Sequence, residues 1–306
     1  MRAIKNRERA KAGFTLIEML VVTVIIAILL SLVSMAVFSA YEKARVTRIG
    51  VEINQLALAM TAFQAKHSIG FPPTNLVVTD PPSNNDPLLR YVQKLFPRYQ
   101  SASTTLYADL DGQGINVTTF DPGQSLVFWL VGFSGNPAAP FANHAVRMGL
   151  ASGTEAPEYD FDPDRLLDGH YYPQIAGDIA GLGEQNAFLY FDASNWYGGN
   201  KADGAAAGDV LEYDPDQAGA LLGFRPYRNG TIIATPYNNN SFQIISAGLD
   251  KKLGQGTGYG TAAGKDESWS FFDCLEATDP DERCEWDADN IANFTEGKTM
   301  LEFSGP

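Results

Sequence analysis

Residues 13–18 read Gly13-Phe14-Thr15-Leu16-Ile17-Glu18, and this stretch separates a charged leader from a long apolar run. The leader contains one acid, Glu8, and five basic residues, which are Arg2, Lys5, Arg7, Arg9 and Lys11. The run Met19–Phe38 has 20 residues, of which the polar ones are Thr23, Ser31 and Ser34. Its length predicts a helix that spans the roughly 30 Å hydrocarbon core of a membrane. A carboxylate near the start of such a helix is costly, so Glu18 calls for a specific role.

The distribution of charge around the apolar run predicts its orientation. Because Lys and Arg precede the run, the positive-inside rule places the N-terminus in the cytoplasm and the bulk of the chain outside. Two other interpretations fit a basic segment followed by an apolar one. The first is an ordinary secretory signal that is cleaved after the small residues of Ser34-Met35-Ala36. The second is a single-pass anchor that is not processed.

The basic leader, the Gly-Phe boundary, the acid five residues after it and the apolar run resemble the prepilin signal of type IV pilins and type II secretion pseudopilins. The resemblance implies that a prepilin peptidase cleaves between Gly13 and Phe14 and methylates the new amine of Phe14. It also implies an α+β, pilin-like fold, in which a long N-terminal transmembrane helix packs on a head with a small antiparallel sheet. The corresponding segments are a prepilin leader at 1–13, a transmembrane and filament-core helix at 14–40, its amphipathic continuation at 41–70, and an extracytoplasmic globular head at 71–306.

The resemblance assigns Glu18 to filament assembly, and electrostatics supplies a reason. The methylated ammonium of Phe14 in a neighbouring subunit would neutralise the carboxylate, and opposite charges attract strongly in a low dielectric. The correct stagger of two subunits is therefore stabilised, and a wrong stagger leaves the carboxylate without a partner. The alternative interpretation is that Glu18 is an interfacial acid that reaches the lipid headgroups.

The apolar run continues directly into an amphipathic segment. Six apolar residues follow one another at spacings of three or four and form one helical stripe, namely Val46, Ile49, Ile53, Leu56, Met60 and Phe63. We expect one helix from Phe14 to about His67, which Gly70 and the pair Pro72-Pro73 bring to an end. Gly50 lies inside this helix, where glycine costs about 1 kcal/mol relative to alanine.

The head is predicted to contain short helices followed by strands. Helices are expected over Pro87–Tyr99, with Asp86 as the cap and Pro87 at the first position, and over Gly123–Val131, after Asp121-Pro122. Segment Ser134–Asp168 is predicted to be mostly loop. Four short segments bounded by turn residues are predicted strands of an antiparallel sheet, namely Ala187–Phe191, Asp209–Tyr213, Thr231–Thr235 and Ser241–Ser246.

The charge of the chain limits the kinds of partner it can have. The full chain has 22 basic and 36 acidic residues. Removal of the five basic residues and one acid of the leader leaves 17 and 35, which gives the mature chain a net charge of −18. We expect no nucleic acid as a direct partner, since phosphates need a basic surface. The acidity suits divalent cations or, in the simpler interpretation, only keeps an exported domain soluble.

The two cysteines, Cys274 and Cys284, lie in the part of the chain that we expect to be exported, where disulfides persist. We expect a bridge between them, and closure of such a loop contributes on the order of 2–3 kcal/mol. The alternative is a pair of buried thiols. Their spacing does not suit a zinc site, and none of the three histidines lies nearby in the sequence.

A second resemblance lies near the C-terminus, where Ser246-Ala247-Gly248-Leu249-Asp250 ends a predicted strand and an acidic run precedes Asn290. This region is similar to the C-terminal region of major pseudopilins, which implies a structural Ca²⁺ in the loop after the strand. Ca²⁺ prefers roughly six to eight oxygen ligands, and the candidate side chains are Asp250, Asp287, Asp289 and Asn290. In the alternative interpretation, Asp287 or Asp289 caps a helix and Asp250 makes a turn.

Motifs of nucleophilic hydrolases, zinc peptidases and P-loop proteins do not occur, so we expect no enzyme and assign no catalytic residue. We expect a structural subunit of the inner (cytoplasmic) membrane whose partners are the prepilin peptidase, like and related pilin subunits, and an inner-membrane assembly platform. The C-terminal resemblance favours a pseudopilin of a type II secretion system, whose periplasmic filament drives the export of folded proteins. The alternatives are a minor pilin of a type IV pilus, in adhesion, motility or DNA uptake, and a membrane-anchored module that binds carbohydrate or an exported substrate.

Overall fold

The computed structural model describes residues 15–74, 87–99, 103–115, 121–151, 159–174, 187–192, 227–229, 235–238, 241–249 and 290–304. The described chain divides into two compact units, with the boundary between Ala44 and Arg45. The first unit contains the N-terminal part of helix α1, and the second contains the rest of α1 and the head. Helices and short antiparallel strands both occur, which confirms the predicted α+β, pilin-like class.

Helix α1, Leu16–His67, is 52 residues long. In the second unit, α1 buries the predicted stripe in the head. The buried side chains are Ile49, Ile53, Leu56, Met60 and Phe63, and Val46 is partly buried. The amphipathic second half of the helix is therefore confirmed. The helix begins at Leu16 and not at the predicted Phe14, because Thr15 caps it; Phe14 itself lies outside the described residues.

Three further helices of the head are α2 (Pro87–Leu95), α3 (Ser103–Gly112) and α4 (Pro122–Leu130). Helix α4 has the predicted cap, since the Asp121 carboxylate accepts bonds from the amides of Gly123 and Gln124 at 2.7 and 2.9 Å. Helix α2 is shorter than predicted and ends at Leu95, because Pro97 disfavours helical backbone at the residue before it. Helix α3 was not predicted from the sequence.

The predicted loop Ser134–Asp168 is irregular over most of its described part. It contains the short helix α5 (His144–Arg147), a 3₁₀ turn over Pro163–Arg165, and strand β1 (Leu166–Leu167). Strand β1 pairs antiparallel with β2 (His170–Tyr171).

The main sheet of the described chain has three antiparallel strands in the order β3-β6-β7. These are β3 (Leu189–Asp192), β6 (Phe242–Ser246) and β7 (Ile291–Ala292), while β4 (Arg228–Asn229) pairs separately with β5 (Thr235–Pro236). The predicted strands Ala187–Phe191 and Ser241–Ser246 are confirmed as β3 and β6. Of predicted strand Thr231–Thr235, the last residue lies in β5; predicted strand Asp209–Tyr213 lies outside the described residues.

The segment that follows α1 is held inside the head by side chains from three different elements. The Tyr91 hydroxyl donates to the carbonyl of Gly70 at 2.8 Å, and the Tyr190 hydroxyl donates to that of Pro72 at 2.7 Å. The Trp129 indole donates to the carbonyl of Pro73 at 3.0 Å. Buried backbone acceptors without partners are costly, so these bonds allow an irregular segment with two prolines to pass through a core.

Gly50 of α1 lies against the backbone of the C-terminal segment. A Cβ atom placed at Gly50 would be 2.8 Å from the Cα atom of Gly297, which is closer than real Cβ contacts. Gly297 itself has a φ of 79° and Glu296 before it has a φ of 56°, so the turn presses its backbone onto the helix. This close approach of two backbones, which only glycine permits, explains why a poor helix former occupies position 50.

Candidate functional site

The start of α1 contains a reciprocal hydrogen-bonded pair between Thr15 and Glu18. The Glu18 carboxylate oxygen Oε2 accepts from the Thr15 amide and from the Thr15 hydroxyl, both at 2.8 Å. In return, the Glu18 amide donates to the Thr15 hydroxyl oxygen at 3.3 Å. This arrangement is a capping box, in which the residue before the helix and the third helical residue satisfy one another's amides. The four amides at a helix start otherwise have no partner within the helix.

The capping box leaves part of the Glu18 carboxylate available. Among the described residues, Thr15 alone donates to this carboxylate, and it does so to Oε2, so Oε1 can accept another bond. A cation close to Oε1 would be attracted by the negative charge of the carboxylate. The low dielectric of a membrane or filament core would strengthen this attraction. The pair therefore holds the carboxylate in one orientation and still presents an acceptor to a neighbouring group.

The described part of the first unit exposes an apolar surface between Leu16 and Phe38. Its large apolar side chains, from Leu16 to Phe38, are all between 45 % and 84 % exposed in the isolated chain. In the part of the chain that the structure describes, α1 is the helix that is long and apolar enough to cross a membrane. Apolar exposure of this extent needs lipid or protein around it. The observation fits a single-pass membrane anchor near the N-terminus.

Several predicted site residues lie outside the described residues. They are Gly13 and Phe14 of the expected cleavage site, the candidate metal ligands Asp250, Asp287 and Asp289, and the cysteines Cys274 and Cys284. Cleavage, calcium binding and the disulfide therefore remain predictions. Within the described residues, no group of three or more His, Cys, Asp or Glu side chains has the arrangement of a metal site.

Asn290, the fourth candidate calcium ligand, is buried where β7 begins. Its side-chain amide donates to the Tyr227 hydroxyl at 2.8 Å, and its main-chain carbonyl accepts from the Met300 amide at 2.7 Å. Asn290 therefore joins β7 to the C-terminal helix α6 (Met300–Ser304) and to a polar network around Tyr227. Gln243 of β6 completes that network, since its side chain accepts from the Tyr227 amide and donates to the Tyr227 carbonyl.

The register of β6 and β7 relates the two candidate calcium segments. Ser246 pairs with Ile291, so the residues that follow β6 and those that precede β7 leave the sheet at the same end. Leu249 is the last described residue on one side and Asn290 is the first on the other.

The head contains an ion pair that joins α1 to the rest of the second unit and that the sequence did not indicate. Arg165 donates to both oxygens of Glu52, at 3.1 and 2.7 Å, and also to the carbonyl of Tyr172 at 2.8 Å. The guanidinium lies 4.6 Å from the centre of the Tyr171 ring. Both side chains are mostly buried, with 9 % and 14 % of their surfaces exposed. A separation of 113 residues explains why neither spacing nor composition predicted this pair.

Sequence reasoning also missed the part that Thr15 takes at the candidate site, although a signal was present. The order Thr-x-x-Glu before an apolar run is the sequence signature of a capping box. It occurs here as Thr15-Leu16-Ile17-Glu18.

Comparison with known proteins identifies the N-terminal region and leaves the head without a match. Residues 9–34 match the family model described as the prokaryotic N-terminal methylation motif. No curated protein and no solved structure matches the chain. The match contains the predicted cleavage site, the capping box and most of the exposed apolar helix. The chain therefore carries the prepilin-type N-terminal methylation motif, which supports a type IV pilin-like subunit.

Proposed function

We propose that this protein is a pseudopilin of a type II secretion system, a subunit that joins a periplasmic filament driving the export of folded proteins. The observation that carries the proposal is the methylation motif at residues 9–34, which overlaps the start of a membrane-length helix with an exposed apolar surface. In this proposal the peptidase removes residues 1–13, and the head remains outside the inner membrane. The subunit then leaves the membrane laterally to join a filament with like and related subunits.

The capping box supports an assembly role for Glu18. A charged side chain near the bilayer centre costs on the order of 2.5–3.5 kcal/mol on insertion scales, and less near the interface. The two bonds from Thr15 satisfy one oxygen of the carboxylate and offset part of that cost. The remaining oxygen is suited to the methylated amine of Phe14 in a neighbouring subunit.

The choice of secretion over a pilus rests on the segment after β6. Ser246-Ala247-Gly248-Leu249-Asp250 resembles major pseudopilins, and Gly248 adopts a φ of 66° in the turn that follows the strand. We further propose a structural Ca²⁺ bound by Asp250, Asp287, Asp289 and Asn290. The strand register supports this proposal, because Asp250 and Asp289 each adjoin a residue at the same end of the β6–β7 pair.

Processing is the direct test of the proposal. We expect that the full chain, expressed with a prepilin peptidase, loses residues 1–13 and carries one methyl group on Phe14, as measured by intact mass and N-terminal sequencing. Gly13→Ala should accumulate precursor, while the neighbouring change Ala12→Ser should be processed normally. Mature protein of normal mass from Gly13→Ala would contradict the prepilin interpretation.

The phenotype of a deletion mutant distinguishes a type II secretion system from a type IV pilus. Deletion of the gene should abolish export of folded proteins and leave pilus-dependent motility and DNA uptake intact. The opposite result would assign the subunit to a type IV pilus as a minor pilin. Normal export, motility and DNA uptake, with loss of binding to carbohydrate or an exported substrate, would favour a membrane-anchored binding module.

The calcium proposal predicts a metal-dependent stability. A ligand that binds only the folded state at 100 times its dissociation constant stabilises it by about 2.7 kcal/mol. We therefore expect Ca²⁺ to raise the Tm of the processed chain in detergent, and Asp289→Ala to abolish this shift. Asp160→Ala, at an exposed acid elsewhere in the head, is the matched control. Equal Tm values in Ca²⁺ and in chelator would contradict the proposed metal site.

A further inference from the structure

A cavity of about 340 Å³ opens on the head between the C-terminal end of α3 and the loop that precedes α5. Its polar side chains are those of Tyr99, Asp109 and Gln113. The other walls are small or apolar and include Ala108, Ala138, Ala139, Pro140, Phe141 and Ala142. Among the described residues that line the cavity there is no lysine, arginine or histidine, and the one charged group is the acid Asp109.

The acid is fixed in position. The Tyr99 hydroxyl donates to Asp109 Oδ2 at 2.6 Å, and Tyr99 is 5 % exposed, so its ring cannot turn away. The ring of Phe141 lies edge-on against that of Tyr99, with 5.7 Å between the ring centres. Among the described residues, Tyr99 is the donor to this carboxylate, which leaves Oδ1 as an acceptor in a cavity that is already formed.

The C-terminal end of α3, beside the cavity, has no basic side chain in its last turn. The carbonyl end of a helix carries a partial negative charge and is stabilised by cations. The last turn of α3 instead contains Asp109 and Asp111 and no basic residue. A cation in the cavity would interact favourably both with Asp109 and with the helix end.

The walls limit the chemistry of the cation. Lysine and arginine side chains combine an apolar stem with a charged head, and they bury the stem along apolar surface. The exposed alanines Ala108, Ala138 and Ala139 offer apolar contact to such a stem, and polar atoms make up the larger part of the exposed lining. A metal ion such as Ca²⁺ would need several oxygen ligands, whereas Asp109 is the one carboxylate among the described residues that line the cavity.

The cavity is held open from both sides. The Gln113 side chain, just after α3, accepts from the amide of Asn143 at 3.2 Å and so joins the two walls. The Ser134 hydroxyl donates to the carbonyl of Ala139 and holds the loop in its turn. A site that exists before binding requires little ordering of the protein, which favours affinity.

We propose that this cavity binds a lysine or arginine side chain of a partner protein. The charged head lies against Asp109 Oδ1, and the stem lies along the exposed alanines of the wall. The net charge of −18 on the mature chain favours approach of a basic partner. The site does not depend on filament assembly, because every residue in it belongs to one head.

The experiment uses the full processed chain in a zwitterionic detergent, with ¹³C-labelled alanine methyl groups. The cavity alanines at 108, 138, 139 and 142 then report binding by NMR. The probes are Nα-acetyl-lysine methylamide and Nα-acetyl-arginine methylamide, and the neutral control is Nα-acetyl-norleucine methylamide. We expect saturable shifts of the cavity methyl groups with at least one cationic probe and none with the neutral control.

Two variants separate the cavity from the general acidity of the helix end. Asp109→Asn keeps an acceptor for Tyr99 and should weaken binding by roughly tenfold or more, because the charge-assisted bond is lost. Asp111→Asn removes the same charge outside the cavity and should weaken binding by much less. The proposal is overturned by the absence of saturable shifts with both cationic probes, by equal shifts with the neutral control, or by equal losses in the two variants.

Discussion

At the scale of single residues, Glu18 has two roles that can be separated. It completes the capping box with Thr15, and in the proposed filament it presents a charge to a neighbouring subunit. Glu18→Gln should retain the box, since glutamine serves at the same position, but it lacks the charge. We expect this variant to be cleaved and methylated normally and yet to be absent from filaments, as measured by immunoblotting of sheared filaments.

Glu18→Ala and Thr15→Ser provide the comparison for that experiment. Glu18→Ala loses both roles and should fail in the same way, whereas Thr15→Ser keeps the hydroxyl and should assemble. Wild-type incorporation of Glu18→Gln would show that the box suffices and that the charge is not needed for registration.

Gly50 gives a second prediction at this scale. Helix propensity alone predicts that Gly50→Ala stabilises the protein by about 1 kcal/mol. Because the new Cβ would lie 2.8 Å from Gly297 Cα, we expect destabilisation instead, on the order of 1–3 kcal/mol for overpacking against backbone. Chemical denaturation followed by near-ultraviolet circular dichroism measures the effect. Asn54→Ala, at an exposed position of the same helix, should be neutral or stabilising; an increase in stability for Gly50→Ala would refute the close packing.

At the scale of elements, the ion pair between Glu52 and Arg165 fixes α1 to the β1–β2 region of the head. Loss of one partner of a buried pair leaves an uncompensated charge and typically costs about 3–5 kcal/mol. Arg165 keeps its bond to the Tyr172 carbonyl, so we expect Glu52→Gln to cost toward the lower end, on the order of 3 kcal/mol. The free energy of unfolding in urea measures this.

A double-mutant cycle identifies the pair as the cause. Arg165→Met removes the charge and keeps an apolar stem, so Glu52→Gln should cost much less in that background. An equal cost of Glu52→Gln in both backgrounds would mean that Glu52 stabilises the head through another contact.

The elements that could be predicted from the sequence are those set by local patterns. The stripe from Ile49 to Phe63 follows from spacing, and the start of α4 follows from Asp121 and the proline after it. The capping box at Thr15 is equally local, and the sequence contains its signature. The bond from Tyr190 to the Pro72 carbonyl joins residues 118 apart. Such a contact depends on how the elements pack, so no local pattern predicts it.

At the scale of the whole molecule, the head is organised around aromatic side chains, and one histidine is buried among them. His144 lies with its ring 4.5 Å from that of Phe128 and 5.2 Å from that of Phe133, centre to centre. Its Nε2 atom lies 3.0 Å from the Phe128 carbonyl. Burial without solvent lowers the pKa of His144 from 6.5 to about 3. The folded head therefore holds this histidine neutral.

Because His144 is buried and neutral, we expect the free energy of unfolding of the head to decrease in acid. The pKa is lower in the folded state, so the unfolded chain binds the proton first as the pH falls below 6.5. The contribution of His144 is complete above pH 6.5 and declines toward pH 3, by at most about 1.4 kcal/mol per pH unit. His144→Gln keeps a side-chain donor for the Phe128 carbonyl and does not titrate. We expect the difference in free energy of unfolding between wild type and this variant to be constant above pH 6.5 and to shrink as the pH falls below it. Parallel curves down to pH 4 would mean that His144 is protonated without cost, and so that the aromatic core admits water at this position.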